Sequence, residues 1–135
     1  ARRVLEAGTA ALAAARATSD QLATIADEVS EMYAAVNDPQ TFLRHDVRFH
    51  QAVAAASNSP ILGVLIEMLA SMFYEQRRAT IEHAQDLRES ADMHRRIYQQ
   101  IRARDVEAAR AGMDEHLRLA QAAPSLEPGG PLATT

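Results

Sequence analysis

The 135-residue chain carries 14 basic and 18 acidic residues, a formal net charge of −4 and a pI near 5.7. It has no cysteine, which excludes disulfides, iron–sulfur clusters, thiolate zinc sites and a cysteine nucleophile. The length suits one domain with a core of its own. Every basic residue is Arg and no basic stripe forms, so the chain by itself is a poor nucleic-acid binder.

The longest apolar run, around Ile61 to Leu69, is interrupted by Glu67 and is too short to cross a bilayer. No basic-then-apolar leader opens the chain, which points to the cytoplasm. It begins at Ala1 rather than Met, as a fragment of a longer protein would. Alanine supplies 28 residues, aromatics only 4%, and no stretch alternates with period two, so the fold is expected to be all-α.

The first helix is expected from about Arg2 to Ala17, with Leu5, Leu12 and several alanines as its apolar face. Thr18 and Gln21 are spaced as a capping box. They open a second helix to about Val36 with Leu22, Ile25, Val29, Met32 and Val36 on one side. Asp38 and Pro39 then read as N-cap and first residue of a third helix that ends near Ser57. Asn58-Ser59-Pro60 repeats that punctuation and starts a fourth, the most apolar, running to about Ile81. Its Met68, Met72 and Phe73 are read as core packing. A polar stretch from Glu82 to Glu89 separates it from a fifth helix, about Ser90 to Arg104, and Asp105 caps a sixth to about Ala122. Short connections make this an antiparallel bundle of about six helices over 1–122. Residues 123–135, rich in Pro and Gly, read as a disordered, flexible tail.

On the third helix, Phe42, Asp46, Phe49, His50 and Val53 share one face, which puts a carboxylate on the core side. Left unpaired there it would cost several kcal/mol, so it requires a cation, a donor or a metal. His94 falls in line with Ile97 and Ile101, and His116 with Met113, Leu117 and Ala120. Asp46, His50, His94 and His116 therefore all point inward, a sensible first shell for a divalent transition metal: zinc first, with nickel, cobalt or manganese also suited. Pairing of Asp46 with a histidine or arginine is the competing account. His45, on the opposite face beside Arg44 and Arg48, and His83, in the polar stretch, fail the inward test. Arg77-Arg78 and Arg95-Arg96 read as solvated pairs from which one member can turn inward.

At these residues the chain resembles the FCD domain, the C-terminal effector-binding domain of FadR-subfamily GntR transcription regulators. The resemblance rests on Arg2-Arg-Val-Leu-Glu6 with Ala13-Ala-Ala-Arg-Ala-Thr18, on Asp46-Val-Arg-Phe-His50 and on Ala55-Ala-Ser-Asn58. It continues in His94-Arg-Arg-Ile97, Arg104-Asp105-Val-Glu-Ala-Ala109 and Met113-Asp-Glu-His116-Leu, and covers about residues 2 to 120. It implies an antiparallel helical bundle in which Asp46, His50, His94 and His116 bind a metal whose open positions take small carboxylate effectors such as hydroxy or sugar acids. It also implies a homodimer and an N-terminal winged helix that reads DNA; nothing in this chain resembles that module, so DNA is reached only through a part absent here.

The expected function is a metal-containing, ligand-sensing domain of a bacterial transcription regulator, not an enzyme. Arg2 is the first candidate to anchor an effector carboxylate, with Arg77 behind it; Asn58 is a further candidate that reads more readily as a loop or cap residue than as an effector contact. The rival readings are a metalloenzyme, for which only Glu67 and Glu75 offer a general base, and a plain interaction bundle with buried histidines.

Overall fold

A computed structural model describes residues 2–133 of the chain, with side chains through 121. Among the described residues there are seven helices and no strand: α1 (Arg2–Arg16), α2 (Ser19–Ala34), α3 (Pro39–Ala56), α4 (Pro60–Met68), α5 (Ala70–Glu82), α6 (Leu87–Arg102) and α7 (Val106–Ala133). The flexible tail expected over 123–135 lies outside the residues whose side chains are described.

The helix starts follow local chemistry. Thr18 Oγ1 accepts from the Gln21 amide at 3.1 Å while Gln21 Oε1 accepts from the Thr18 amide at 2.9 Å, a closed capping box. Asp38 caps α3 through Thr41, and Asp105 accepts from the Ala108 amide at 3.1 Å at the start of α7. Asp86 caps α6, which starts at Leu87, three residues earlier than expected, so the polar connection is short.

The bundle is organised around α1. Ala10, Ala13 and Ala14 are fully buried, whereas Leu5 and Leu12, expected to lead this face, are only half-buried on its flanks. Without side chains beyond Cβ, α1 can lie close against α7, its most extensive partner, and also against α3 and α6. Ile25, Met32, Phe42, Phe49, Ile97, Ile101, Met113 and Leu117 fill the remaining core, all at 1% exposure or less. The site residues sit in this layer.

The expected fourth helix is two. At Leu69 (φ −103°, ψ 8°) the amide is shared between the carbonyls of Leu65 and Ile66, both at 3.2 Å, and the axis bends. Beyond the bend Phe73, Arg77 and Ile81, spaced by four, are buried. Before it, no residue of α4 is buried. Met68 and Met72, expected in the core with Phe73, are exposed by 73% and 54%; only Phe73 is inside. Periodicity places residues on a shared face but does not say what covers that face.

Two helix ends carry left-handed residues that are not glycine, Asn58 (φ 51°) and Arg104 (φ 62°). Asn58 holds the corner between α3 and α4 to the end of α1: its Nδ2 donates to Arg16 O at 2.9 Å and to Gln21 Oε1 at 3.1 Å, and its Oδ1 accepts from Gln21 Nε2 at 3.0 Å. Replacing it with Ala removes these bonds and the residue type that tolerates this backbone. Asn58→Ala is therefore expected to lower the unfolding free energy by about 1–2 kcal/mol in urea titration, with the divalent-metal content of the protein unchanged.

Candidate metal centre

Three helices converge on one point. The α3 stripe buries Asp46 and His50 beside Phe42, Phe49 and Val53. α6 brings in His94, fully buried next to Ile97 and Ile101, and α7 brings His116 between Met113 and Leu117. One potential ligand atom from each of Asp46, His50, His94 and His116 lies within 4.8 Å of the others. Metal bonds of about 2.0–2.2 Å put ligand atoms no more than roughly 4.4 Å apart, so small side-chain shifts close the set on one ion. The rings pack tightly: His94 and His116 have centroids 4.4 Å apart, and His50 stacks on His116 at 5.5 Å and 13°.

Hydrogen-bond partners assign the tautomers. His94 Nδ1 is 2.6 Å from the carbonyl of Ser90, which can only accept, so Nδ1 carries the proton. Its Nε2 then faces Asp46 Oδ1 at 2.7 Å. Either the ring is an imidazolium paired with the carboxylate, or Nε2 and Oδ1 are two neighbouring ligands of one cation. His50 Nδ1 lies 2.7 Å from Glu6 Oε1 and its Nε2 3.4 Å from Asp46 Oδ1, yet neither ring nitrogen makes a well-directed hydrogen bond. Buried imidazole nitrogens in that condition, with a nitrogen-rich donor set and one carboxylate, fit a divalent transition metal.

Electrostatics agree. Burial opposes ionisation of Asp46, but hydrogen bonding and charge from His50 and His94 outweigh it and hold the carboxyl well below the ordinary range. Burial, reinforced by His94 and His50, pushes His116 well below the usual imidazole value, which leaves it neutral and able to ligate.

Around these four lies a charged layer that includes one residue missed by the sequence reading. Glu6 on α1 is 2% exposed and accepts from Arg77 Nη2 at 2.8 Å. Burial works against its ionisation, but His50 and Arg77 hold it at about 2. A second inward carboxylate is thus present beside the candidate ligands, contrary to the expectation that only Glu67 and Glu75 stand near them. Its sequence signal was the Arg2-to-Glu6 spacing of four, which gives no hint of α5 on its own. A carboxylate behind one candidate-ligand histidine and a carbonyl behind another match the outer-shell partners that aim Nε2 at a metal in metal sites. Arg77 turned inward and is buried, while Arg78 stayed outside between Glu75 and Glu82. Arg2 is 4% exposed; its Nε is 3.7 Å from Glu6 Oε2, and neither Nε nor Nη1 makes a hydrogen bond to any described residue.

The model of the FCD domain family matches residues 1–119, nearly the whole bundle. The chain belongs to the FCD domain family. It is 31% identical over 113 residues to the galactonate operon transcriptional repressor of Escherichia coli, covering 80% of this chain and 48% of that protein. It is also 31% identical over 121 residues to the HTH-type transcriptional regulator LutR of Bacillus subtilis, covering 86% and 55%. The chain thus spans about half the length of these relatives. Among solved structures it superposes on Streptococcus agalactiae GntR with a TM-score of 0.72 at 30% identity, over 90% of this chain and 56% of that one. With E. coli McbR/YncC the TM-score is 0.80 at 24% identity, over 93% and 61%, a likeness of fold.

Other residues stand apart from the FCD-domain cluster. Asn58 is eight residues beyond His50, about 12 Å along the helix axis, and serves the α1–α2 corner. His45 lies on the opposite face of α3, as expected, yet is buried there rather than solvated, 2.7 Å from Glu28. His83 is exposed, and so are Glu67 and Glu75. Arg95 lies over the Tyr33 ring at the surface. A groove of about 550 Å³ lined by Arg44, Arg48, Tyr74 and Arg78 touches none of the four candidate ligands. A cleft of about 510 Å³ opens between α1, α5 and α7 with Arg2, Ala79, Thr80 and Ala120 on its walls; none of the four candidate ligands lines it, and Arg2, which meets Glu6, connects it to the cluster.

Chelation is expected to lower the melting temperature of protein purified with metal, since an ion bound only to the folded state stabilises it by about 2.7 kcal/mol at 100 times its Kd. His94→Ala should lose the metal in elemental analysis. His83→Ala should keep it, and His45→Ala should keep it at a cost of about 1–3 kcal/mol for the stranded Glu28 partner.

Proposed function

We propose that this FCD domain is the sensor of a bacterial transcription regulator, that it holds a divalent metal on Asp46, His50, His94 and His116, and that it binds a small organic acid there. Zinc suits this N3O donor set best, and nickel, cobalt and manganese are compatible with it. When bound, the metal supplies open positions for anionic oxygen. The observation that carries the reading is Arg2: a buried guanidinium with uncommitted Nε and Nη1, next to the histidine cluster and on the wall of a cleft of about 510 Å³. Burial and the neighbouring Arg77 both depress its pKa, so an incoming anion relieves a strained cation. A cleft of this size suits a small hydroxy or sugar acid.

The residues divide the work. Arg77 is committed to Glu6, so Arg2 is the anchor for the effector carboxylate and Arg77 sets the local charge. Because Arg2 and Glu6 share the first two turns of α1, engaging Arg2 acts directly on that helix. An acid that binds one arrangement of α1 better shifts the bundle by its differential affinity. Through that shift it controls DNA binding by an N-terminal winged helix outside this chain, in a homodimer and in the cytoplasm. The metalloenzyme reading lacks a base: Glu67 and Glu75 face solvent, and Glu6, held at about 2 by His50 and Arg77, is too weak a base for proton abstraction at neutral pH.

Calorimetry with hydroxy and sugar acids tests this. Metal-loaded protein is expected to bind at least one such acid, and metal-stripped protein and Asp46→Ala to bind none. Arg2→Ala should weaken binding by about 10- to 100-fold, the worth of a charged hydrogen bond, without abolishing it. Equal affinity with and without metal would reduce the ion to a structural clamp, and turnover of the acid would favour the enzyme.

A further inference from the structure

The groove of about 550 Å³ between α3 and α5 lies on the outer sides of the two helices and takes no part in the function proposed above. Its floor is apolar: Leu43 and Ile81 are buried there and Val47 is half-buried. Arg44 and Arg48, one turn apart on α3, line it from one helix; Tyr74 and Arg78, one turn apart on α5, line it from the other. Elsewhere the chain pairs its surface arginines with acids, as in Arg3 with Asp114, Arg110 with Glu107 and Arg118 with Glu115. Arg78 is likewise balanced by Glu75 and Glu82. Arg44 and Arg48 are the exception within the groove. Both are exposed, neither makes a hydrogen bond or an ion pair with a described residue, and Arg44 acts on Asp38 only through space. The one acidic residue of α3, Asp46, points the other way. Like charges four apart on a helix repel and lower its stability, and an anion held between them reverses the effect.

We infer that this groove is a second ligand site, built for a nucleotide whose phosphates meet Arg44 and Arg48 and whose base lies against Tyr74. Two guanidinium forks offer more donors than one carboxylate accepts, and they match the oxygens of a phosphate or diphosphate. The Tyr74 ring is 41% exposed and makes no hydrogen bond to a described residue, so its face is open to a planar partner. Gln40 and Gln51, also on the lining, carry amides that both donate and accept, as reading the edge of a base requires. The buried Leu43 and Ile81 beneath supply the apolar surface that a ring covers, and the volume is that of a small-molecule site. A nucleic-acid strand is a poor occupant, because two uncommitted cations hold few phosphates against a net charge of −4. The small acid proposed for the metal centre is also a poor one, since it has no ring for Tyr74 and fills one fork only. The site depends neither on the metal nor on that acid.

Calorimetry of the 135-residue chain with ADP tests the site. The wild type is expected to bind one ADP per chain, and adenosine and pyrophosphate each at least about 10-fold more weakly, since each fills half of the groove. Arg44→Ala and Arg48→Ala should each weaken ADP by about 10- to 100-fold, the worth of a hydrogen bond to a charged group. Tyr74→Ala should weaken it by about 10-fold, and Tyr74→Phe, which keeps the ring, should bind like the wild type. Arg96→Ala removes another exposed arginine without an ion pair, away from this groove, and should change nothing. All four positions are exposed, so helicity by circular dichroism should stay at wild-type values in every variant. A phosphate caught by the histidine cluster instead would be indifferent to Arg44, Arg48 and Tyr74. That indifference would overturn the site, as would a wild type that takes up no ADP at millimolar concentration. Pyrophosphate or a DNA duplex binding as tightly as ADP, with Tyr74→Ala without effect, would reduce the groove to a patch of charge and overturn it too.

Discussion

A carboxylate at the centre of a helical bundle has to be neutralised, and the rest of this molecule is arranged around that requirement. Asp46 occupies a core position on α3 between Phe42, Phe49 and Val53 and is buried there. Leaving it charged and alone would cost a large part of the net stability of a domain this size. α6 and α7 answer by delivering His94 and His116 to the same layer, and α3 itself contributes His50 one turn on. The result is four ligand-type residues, all buried, within reach of a single ion.

The second constraint is that imidazoles ligate through one nitrogen only if the other is held. Here the holding groups come from places with little in common: the Ser90 carbonyl one turn earlier in the same helix, and Glu6 from another helix altogether. Glu6 in turn is kept ionised by Arg77 from α5. Five helices are therefore tied into one polar cluster inside an otherwise apolar core. Such a network gives up some stability relative to hydrocarbon packing and specifies which faces of the five helices meet.

Alanine makes this geometry possible. α1 is buried along Ala10, Ala13 and Ala14, so α7 can approach closely enough for His116 to meet residues of α3 and α6. A leucine-faced α1 would hold α7 further away and open the cluster. The same close approach places Arg2 and Glu6, at the start of α1, beside the candidate ligands. In the proposed sensor, recognition of the acid and any onward signal through α1 thus depend on the one helix with the smallest side chains.

Much of this was legible in the residues. Capping chemistry at Thr18, Asp38 and Asp105 marks helix starts because a cap is a local bond between residues three apart, and the stripes of α3, α6 and α7 mark Asp46, His50, His94 and His116 as inward because helical periodicity is also local. Family-like motifs at those positions added the order of the parts. Three things were decided only when the chain closed on itself. Glu6 became part of the cluster because α5 supplied Arg77, a partner 71 residues away. The apolar stretch after Pro60 was divided at Leu69, where neither Pro nor Gly marks a break. Met68 and Met72 were left in water although their pattern matches that of a core. Periodicity states which side chains share a face; what that face meets depends on the distant elements that pack against it, and that is settled by tertiary contact alone.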